Sequence, residues 1–205
     1  MPDNAIGDAG PVVVKVDGGR GFVIETESAR LVVTAAHCLP RFPPRASISD
    51  TADRTYGRLL GAVGKRSRVW AECLFVDPVA DIAVFGSPDN QELAREAEAY
   101  EALMRSVTPL RVTEMDKETV PAKLLSLSGS SFECVVSARG GGPLWIEDAA
   151  QPIVPGMSGS PILTQDGSAI GVVAASDNGS QGGPNPRLAS HLPGWLLGDL
   201  GISIN

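Results

Sequence analysis

Short β-rich runs recur along the chain, each ended by Gly, Pro, Asp or Ser. In the first half these are "PVVVKV" (11–16), "GFVIET" (21–26), "RLVVTAA" (30–36), "VWAECLFV" (69–76) and "DIAVF" (81–85). In the second half they are "AKLLSLS" (122–128), "SFECVVSA" (131–138), "PLWIED" (143–148), "SPILT" (160–164) and "SAIGVVAAS" (168–176). Many short strands at close spacing predict a sandwich or barrel, not alternating βαβ units. The 23 glycines and 16 prolines supply the turns that such a chain needs. One segment, within 89–107, has a different period. Leu93, Ala97, Tyr100, Met104 and Val107 advance in steps of four and three, which traces one face of a helix. Asp89 or Asn90 would cap it, and Glu92 would complement its dipole. A second short helix is expected in "LPGWLLGDL" near the end. The class is therefore all-β, with a β-rich unit over 1–88, a linking or flanking helix over 89–107 and a second β-rich unit over 108–205.

At 205 residues the chain has enough length for two small lobes with real cores. Its net charge of −7 argues against nucleic acid or an anionic membrane as the main partner. No run approaches the roughly 18 apolar residues of a membrane span. The opening "MPDNAIGDAGPVVVKVDGG" lacks the basic start and long apolar run of a signal peptide. Three cysteines cannot all pair internally, and none has metal-ligand spacing such as C-x-x-C. The expectation is a cytoplasmic protein, or a secreted or periplasmic one if a signal has been removed, with free thiols and neither metal nor other cofactor.

Three short stretches carry chemistry. In "PGMSGSP" (155–161), Ser158 lies between Gly156 and Gly159. A serine hydroxyl becomes a nucleophile only when a base takes its proton. Backbone N–H groups must also face the oxyanion that forms, and flanking glycines permit the sharp turn this requires. His37, in "TAAHCLP", is an imidazole able to accept and return that proton. Asp81 opens the apolar run "DIAVF", where a carboxylate needs a partner; it would orient the imidazole. Asp77 is the rival in "DPVAD", but it precedes Pro78 and reads better as a turn former. Each stretch alone is more often structural. In combination their order is His, Asp, Ser, which is that of chymotrypsin-type triads and neither of α/β-hydrolases nor of subtilisins. The elbow G-x-S-x-G is also absent, because residue 160 is Ser.

"TAAHC", "DIAV" and "GMSGSP" resemble the signature stretches of chymotrypsin-fold serine peptidases, and more those of the bacterial branch, such as glutamyl endopeptidases and high-temperature-requirement proteases, than those of digestive enzymes. The resemblance implies two antiparallel β-barrels with the active site in the cleft between them. It implies His37 as general base, Asp81 as its orienter, Ser158 as nucleophile and the N–H groups of Gly156 and Ser158 as oxyanion hole. The expected reaction is hydrolysis of a polypeptide through an acyl-enzyme. A latent protease-fold binding module and an esterase with the same triad are the alternatives.

The chain departs from that family pattern in places. Met157 stands where cleavage-activated relatives carry an aspartate, so activity is expected without N-terminal processing. Cys38 lacks the cysteine that secreted relatives place on the neighbouring strand, here "GRGFVI" (19–24), and is expected to be a free, partly buried thiol. The resemblance puts Pro152 at the floor of the primary pocket and Ala174, Ala175 and Ser176 along its wall. These small, uncharged residues lean toward apolar substrate side chains. His191 is expected at the surface or in packing, and "GSQGGPNP" (179–186) as a loop near the cleft. Control by a regulatory partner or by further domains of a longer chain is expected, since an intracellular protease needs restraint.

Overall fold

The computed structural model describes residues 11–44, 51–174 and 182–202. Six strands form the first barrel: β1 (Val13–Val16), β2 (Gly19–Glu25), β3 (Arg30–Thr34), β4 (Thr55–Ala62), β5 (Val69–Asp77) and β6 (Ile82–Gly86). They close in the order β1-β2-β3-β6-β5-β4, every pair antiparallel. Six more build the second unit: β7 (Thr119–Leu125), β8 (Ser131–Ala138), β9 (Leu144–Glu147), β10 (Pro161–Thr164), β11 (Ala169–Val172) and β12 (Gly182–Asn185). Their order is β11-β10-β7-β8-β9-β12, a nearly closed barrel. The expected all-β, two-barrel architecture is therefore present, with short helices α1 (Thr51–Arg54), α2 (Ala94–Arg105), α3 (Leu188–His191) and α4 (Gly194–Asp199).

Strand composition follows from what covers each face. β6 is buried at every residue, and β3 at all but its first. Their inner faces meet the barrel core, while α2 packs outside against β3 and β5. Strands covered on both faces read as continuous apolar runs. Tyr100 and Met104, from the predicted helical stripe, are fully buried in this core, and Leu93 and Ala97 are half-buried at its edge. The Tyr100 hydroxyl lies 3.0 Å from Arg30 O and 3.1 Å from Phe85 O, so it fastens the helix to β3 and β6. The N-cap is Asn90, whose side chain accepts from Glu92 N–H at 2.9 Å; a 3₁₀ turn (Gln91–Leu93) then precedes α2.

One apolar cluster spans both barrels, and the second barrel holds a further core of its own around Leu124, Val136, Leu144 and Ile162. Leu125, Leu163, Ala169 and Val172 of the second unit pack in the same cluster as the first barrel. The C-terminal Leu188, Leu192, Leu196 and Leu197 join them there. The connector stitches both units: Leu110 N–H donates to Val23 O at 2.7 Å, and Ala169 N–H donates to Arg111 O at 2.7 Å.

Two strands depart from the sequence expectation. β4, "TYGRLLGA", has its alternation broken by a bulge where pairing with β5 slips between Tyr56 and Leu60. β12, "GGPN", lies in the stretch expected as a loop, yet residues 182–185 form a strand paired with β9. Its pairing is a backbone matter, with no apolar pattern to announce it; residues 179–181 lie outside the described residues.

Tyr100→Phe removes one buried hydroxyl and leaves its strand carbonyls without that donor. The expected cost is about 1–2 kcal/mol, a melting-temperature loss of roughly 2–8 °C for a chain of this size. Unchanged thermal unfolding would show that α2 is held by packing alone.

Candidate active site

After β3 the chain enters a single 3₁₀ turn (Ala36–Cys38) that buries Ala36 and Cys38 and leaves His37 half exposed. Asp81 sits just before β6 in a left-handed conformation, φ 59. Such a conformation is uncommon for a residue other than glycine, and it costs on the order of 1 kcal/mol. Three bonds hold Asp81 there. Its Oδ1 accepts from the His37 backbone N–H at 2.8 Å, Oδ2 lies 2.7 Å from His37 Nδ1, and its carbonyl accepts from Ala36 N–H at 3.2 Å. Both carboxylate oxygens are therefore committed to the residue they would orient. Hydrogen bonding to Asp81 first, and to Cys38 second, favours the imidazolium form; burial opposes it but does not prevail. The His37 pKa consequently stands above its ordinary 6.5. Asp77 plays the other part: its Oδ1 accepts from Val79 and Ala80 N–H at 2.9 and 3.0 Å, closing the turn before β6.

Ser158 lies on a tight turn between Val154 and Ser160. Met157 N–H donates to Val154 O and Ser160 N–H to Met157 O. Gly156 and Gly159 have φ 91 and 80, the left-handed conformations for which glycine is suited. Among the described residues, the N–H groups of Gly156 and Ser158 have no acceptor, and Ser158 Oγ makes no hydrogen bond. Met157 is buried in the core of the second barrel, and its sulfur accepts from Val154 N–H at 3.4 Å.

The Ser158 turn is fixed to the first barrel at "GRG". Arg20 N–H donates to Ser158 O at 2.8 Å, while Arg20 O accepts from Thr34 Oγ1 at 2.6 Å. A Cβ on Gly159 would overlap Arg20 O and Thr34 Oγ1, so only glycine permits this approach. A Cβ on Gly19 would collide with Cys38 Sγ and stand 2.8 Å from Ser158 O. The strand "GRG" thus lies between the serine turn and the histidine turn and sets both.

Arg20 was not singled out by the sequence. Its side chain is buried without a carboxylate partner. Instead its guanidinium donates to Leu125 O at 3.3 Å, Ser126 O at 2.8 Å and Leu127 O at 2.8 Å. These carbonyls belong to the end of β7 and the turn into β8, and the Leu127 side chain reaches Gly156. One residue therefore ties the first barrel to Ser158 by its backbone and to the turn beside Gly156 by its side chain. No sequence pattern marks this, because carbonyl acceptors have no residue identity.

A cleft of about 490 Å³ opens beside Asp81, lined among others by Pro143, Ala174, Asn185 and His191. Ala174 N–H donates to Asn185 Oδ1 at 2.7 Å. His191, expected at the surface or in packing, is half-buried at the end of α3 and faces this cleft. Chain return through β12 and α3 brings it there. Pro152 is exposed between β9 and β10 and does not line that cleft. Ala175 and Ser176 lie outside the described residues. Cys38, Cys73 and Cys134 are all unpaired and buried. Burial pushes the Cys73 thiol up to about 11 and Cys134 up to about 12, which leaves both inert as nucleophiles.

Two antiparallel barrels that bring a His–Asp pair and a Gly-flanked serine turn onto one shared strand define a chymotrypsin-fold serine peptidase. The family model of the trypsin-like peptidase domain matches residues 19–172, and the chain belongs to that family. Among solved structures it is similar to the Rv3671c protease in an inactive form, at 19% identity and TM-score 0.56, covering 96% of this chain and 90% of that one. It is also similar to the MamO protease domain from Magnetospirillum magneticum, at 18% identity and TM-score 0.55, covering 92% and 100%. The serine protease domain of the Sesbania mosaic virus polyprotein matches at 19% identity and TM-score 0.52, covering 86% and 89%. At such identities the likeness is one of fold. No curated protein sequence matches significantly.

Arg20→Met deletes three charge-assisted bonds across the barrel interface. Thermal or denaturant unfolding is expected to show a loss of roughly 2–4 kcal/mol. A loss below about 0.5 kcal/mol would show that the β7–β8 turn holds its place without the guanidinium.

Proposed function

We propose that this peptidase cleaves polypeptides by acyl transfer on Ser158, with His37 as general base and Asp81 as the group that orients it. The observation that carries this reading is the doubly bonded His37–Asp81 pair. With Nδ1–H donated to the carboxylate, the neutral imidazole presents Nε2 as its acceptor. Ser158 Oγ loses its proton to Nε2 as it attacks the scissile carbonyl. The free N–H groups of Gly156 and Ser158 receive the developing oxyanion. His37 then returns the proton to the leaving amine, and water repeats the cycle to release the acyl group. The open Ser158 hydroxyl agrees with a resting site, since catalytic hydrogen bonds often tighten only on substrate binding.

That same open hydroxyl favours a second reading, a latent site that a partner or a selective substrate must close. It suits a protease held in check in a reducing compartment, where three buried, unpaired cysteines would persist. Fluorophosphonate labelling separates the two. Labelling of the wild-type chain, lost in Ser158→Ala with the fold intact, is the outcome of a competent triad. Absence of labelling in a folded wild-type chain would reject it in favour of the latent module.

The pH dependence tests the base. Protonated His37 cannot accept the serine proton, and its raised pKa means that hydrolysis should rise with pH through a limb above 6.5. Asp81→Asn removes the largest raising influence. The limb should therefore move to lower pH while kcat falls by about ten-thousandfold, as when other triads lose their aspartate. A limb that stays in place would mean that Asp81 does not set the basicity of His37.

A further inference from the structure

Leu127 is 49% exposed on a turn that is itself firmly held. The Arg20 guanidinium donates to Leu125 O, Ser126 O and Leu127 O. Within the turn, Ser126 Oγ lies 2.8 Å from both Ser128 Oγ and Ser130 Oγ, and Ser126 N–H donates to Ser130 O at 2.8 Å. Single exposed leucines are common. The place of this one distinguishes it. A Cβ built on Gly156 would stand 3.6 Å from Leu127 Cδ2, so a leucine methyl lies against the glycine whose N–H has no acceptor among the described residues. Val154, the first residue of the serine turn, is also exposed, at 36%. Neither residues 125–130 nor residues 152–160 include a charged side chain, in a chain of which 20% is charged. An apolar group can therefore settle here without desolvating a charge.

The backbone fixes which side of Ser158 this surface serves. Ser158 C=O and Gly159 N–H belong to one peptide group and point in opposite directions. The first accepts from Arg20 N–H at 2.8 Å, and the second donates to Val173 O at 2.7 Å. Arg20 and Val173 thus flank the serine turn on opposite sides. Leu127 belongs to the Arg20 side through the guanidinium. Ala174, next to Val173, lines the cleft beside Asp81. The acyl part of a substrate stays attached to Ser158 through both half-reactions and suits an enclosed cleft. The leaving amine must depart after the first, and suits an open wall.

We propose that Leu127 is a specificity-determining residue on the leaving-group side, favouring substrates with a large apolar residue immediately after the scissile bond. This rests on the acyl-transfer reading of Ser158. Covering the exposed half of Leu127 removes apolar surface from water, and contacts of this size discriminate between substrates by about tenfold.

The test runs the leaving-group step in reverse. The whole chain is acylated at Ser158 with an activated ester, and the acyl-enzyme is offered leucinamide, glycinamide or aspartic acid α-amide in competition with water. The amine nitrogen attacks the acyl carbonyl carbon. His37 takes the amine proton and passes it to Ser158 Oγ as the ester bond breaks, and a new amide is released. The amine occupies the place of the leaving group. The ratio of amide to acid from one acyl-enzyme therefore reads that side alone and does not depend on stability or on the rate of acylation. At equal concentrations of free amine, leucinamide is expected to capture the acyl group about tenfold better than the other two. Leu127→Ser should remove most of that preference, and Leu127→Met should keep it. Equal capture of the three amines by the wild-type chain, or a preference that survives Leu127→Ser, would overturn this proposal alone. A chain that forms no acyl-enzyme at all would overturn the triad, and this proposal with it.

Discussion

The active site rests on the contact between the backbone of Arg20 and the serine turn. Arg20 N–H holds Ser158 O, and its carbonyl holds Thr34 Oγ1 at the end of the strand that leads to His37. Gly159 packs so closely that any side chain would strike that carbonyl. Ser158 comes from the second barrel and His37 from the first. A cleft between two barrels can keep them in register only if something rigid spans it. Here one strand edge does so, and the buried guanidinium extends the connection to the turn beside Gly156. The apolar cluster that bridges the two barrels, and takes in the C-terminal helices, resists their separation.

The His37–Asp81 pair is assembled within the first barrel alone. The turn after β3 and the turn before β6 are neighbours because β3 and β6 pair, with Thr34 opposite Ala83. The left-handed Asp81 brings both carboxylate oxygens onto His37. Local strain is thus exchanged for a fixed imidazole.

Much of this was legible in the sequence, for definite reasons. β3 and β6 are covered on both faces and so read as apolar runs. α2 carries a clean helical stripe, and Asp77 sits before a proline as turn formers do. The candidate residues His37, Asp81 and Ser158 stand beside recognisable glycines and apolar strands. What escaped is held by the backbone. β12 pairs through main-chain groups of "GGPN", and β4 is bulged, so neither shows an apolar period. Arg20 binds carbonyls, which no spacing of residue types can reveal. His191 reaches the cleft only because the chain returns through β12 and α3.

Trapping the acyl-enzyme is the most direct test of the account. The chain would be mixed with an activated ester and quenched in acid, and the acylated peptide located by mass spectrometry. A single acyl group on Ser158, absent when His37 is replaced by Ala, is the predicted result. An acyl group on Ser160 or Cys38, or one on Ser158 that forms equally well without His37, would contradict it.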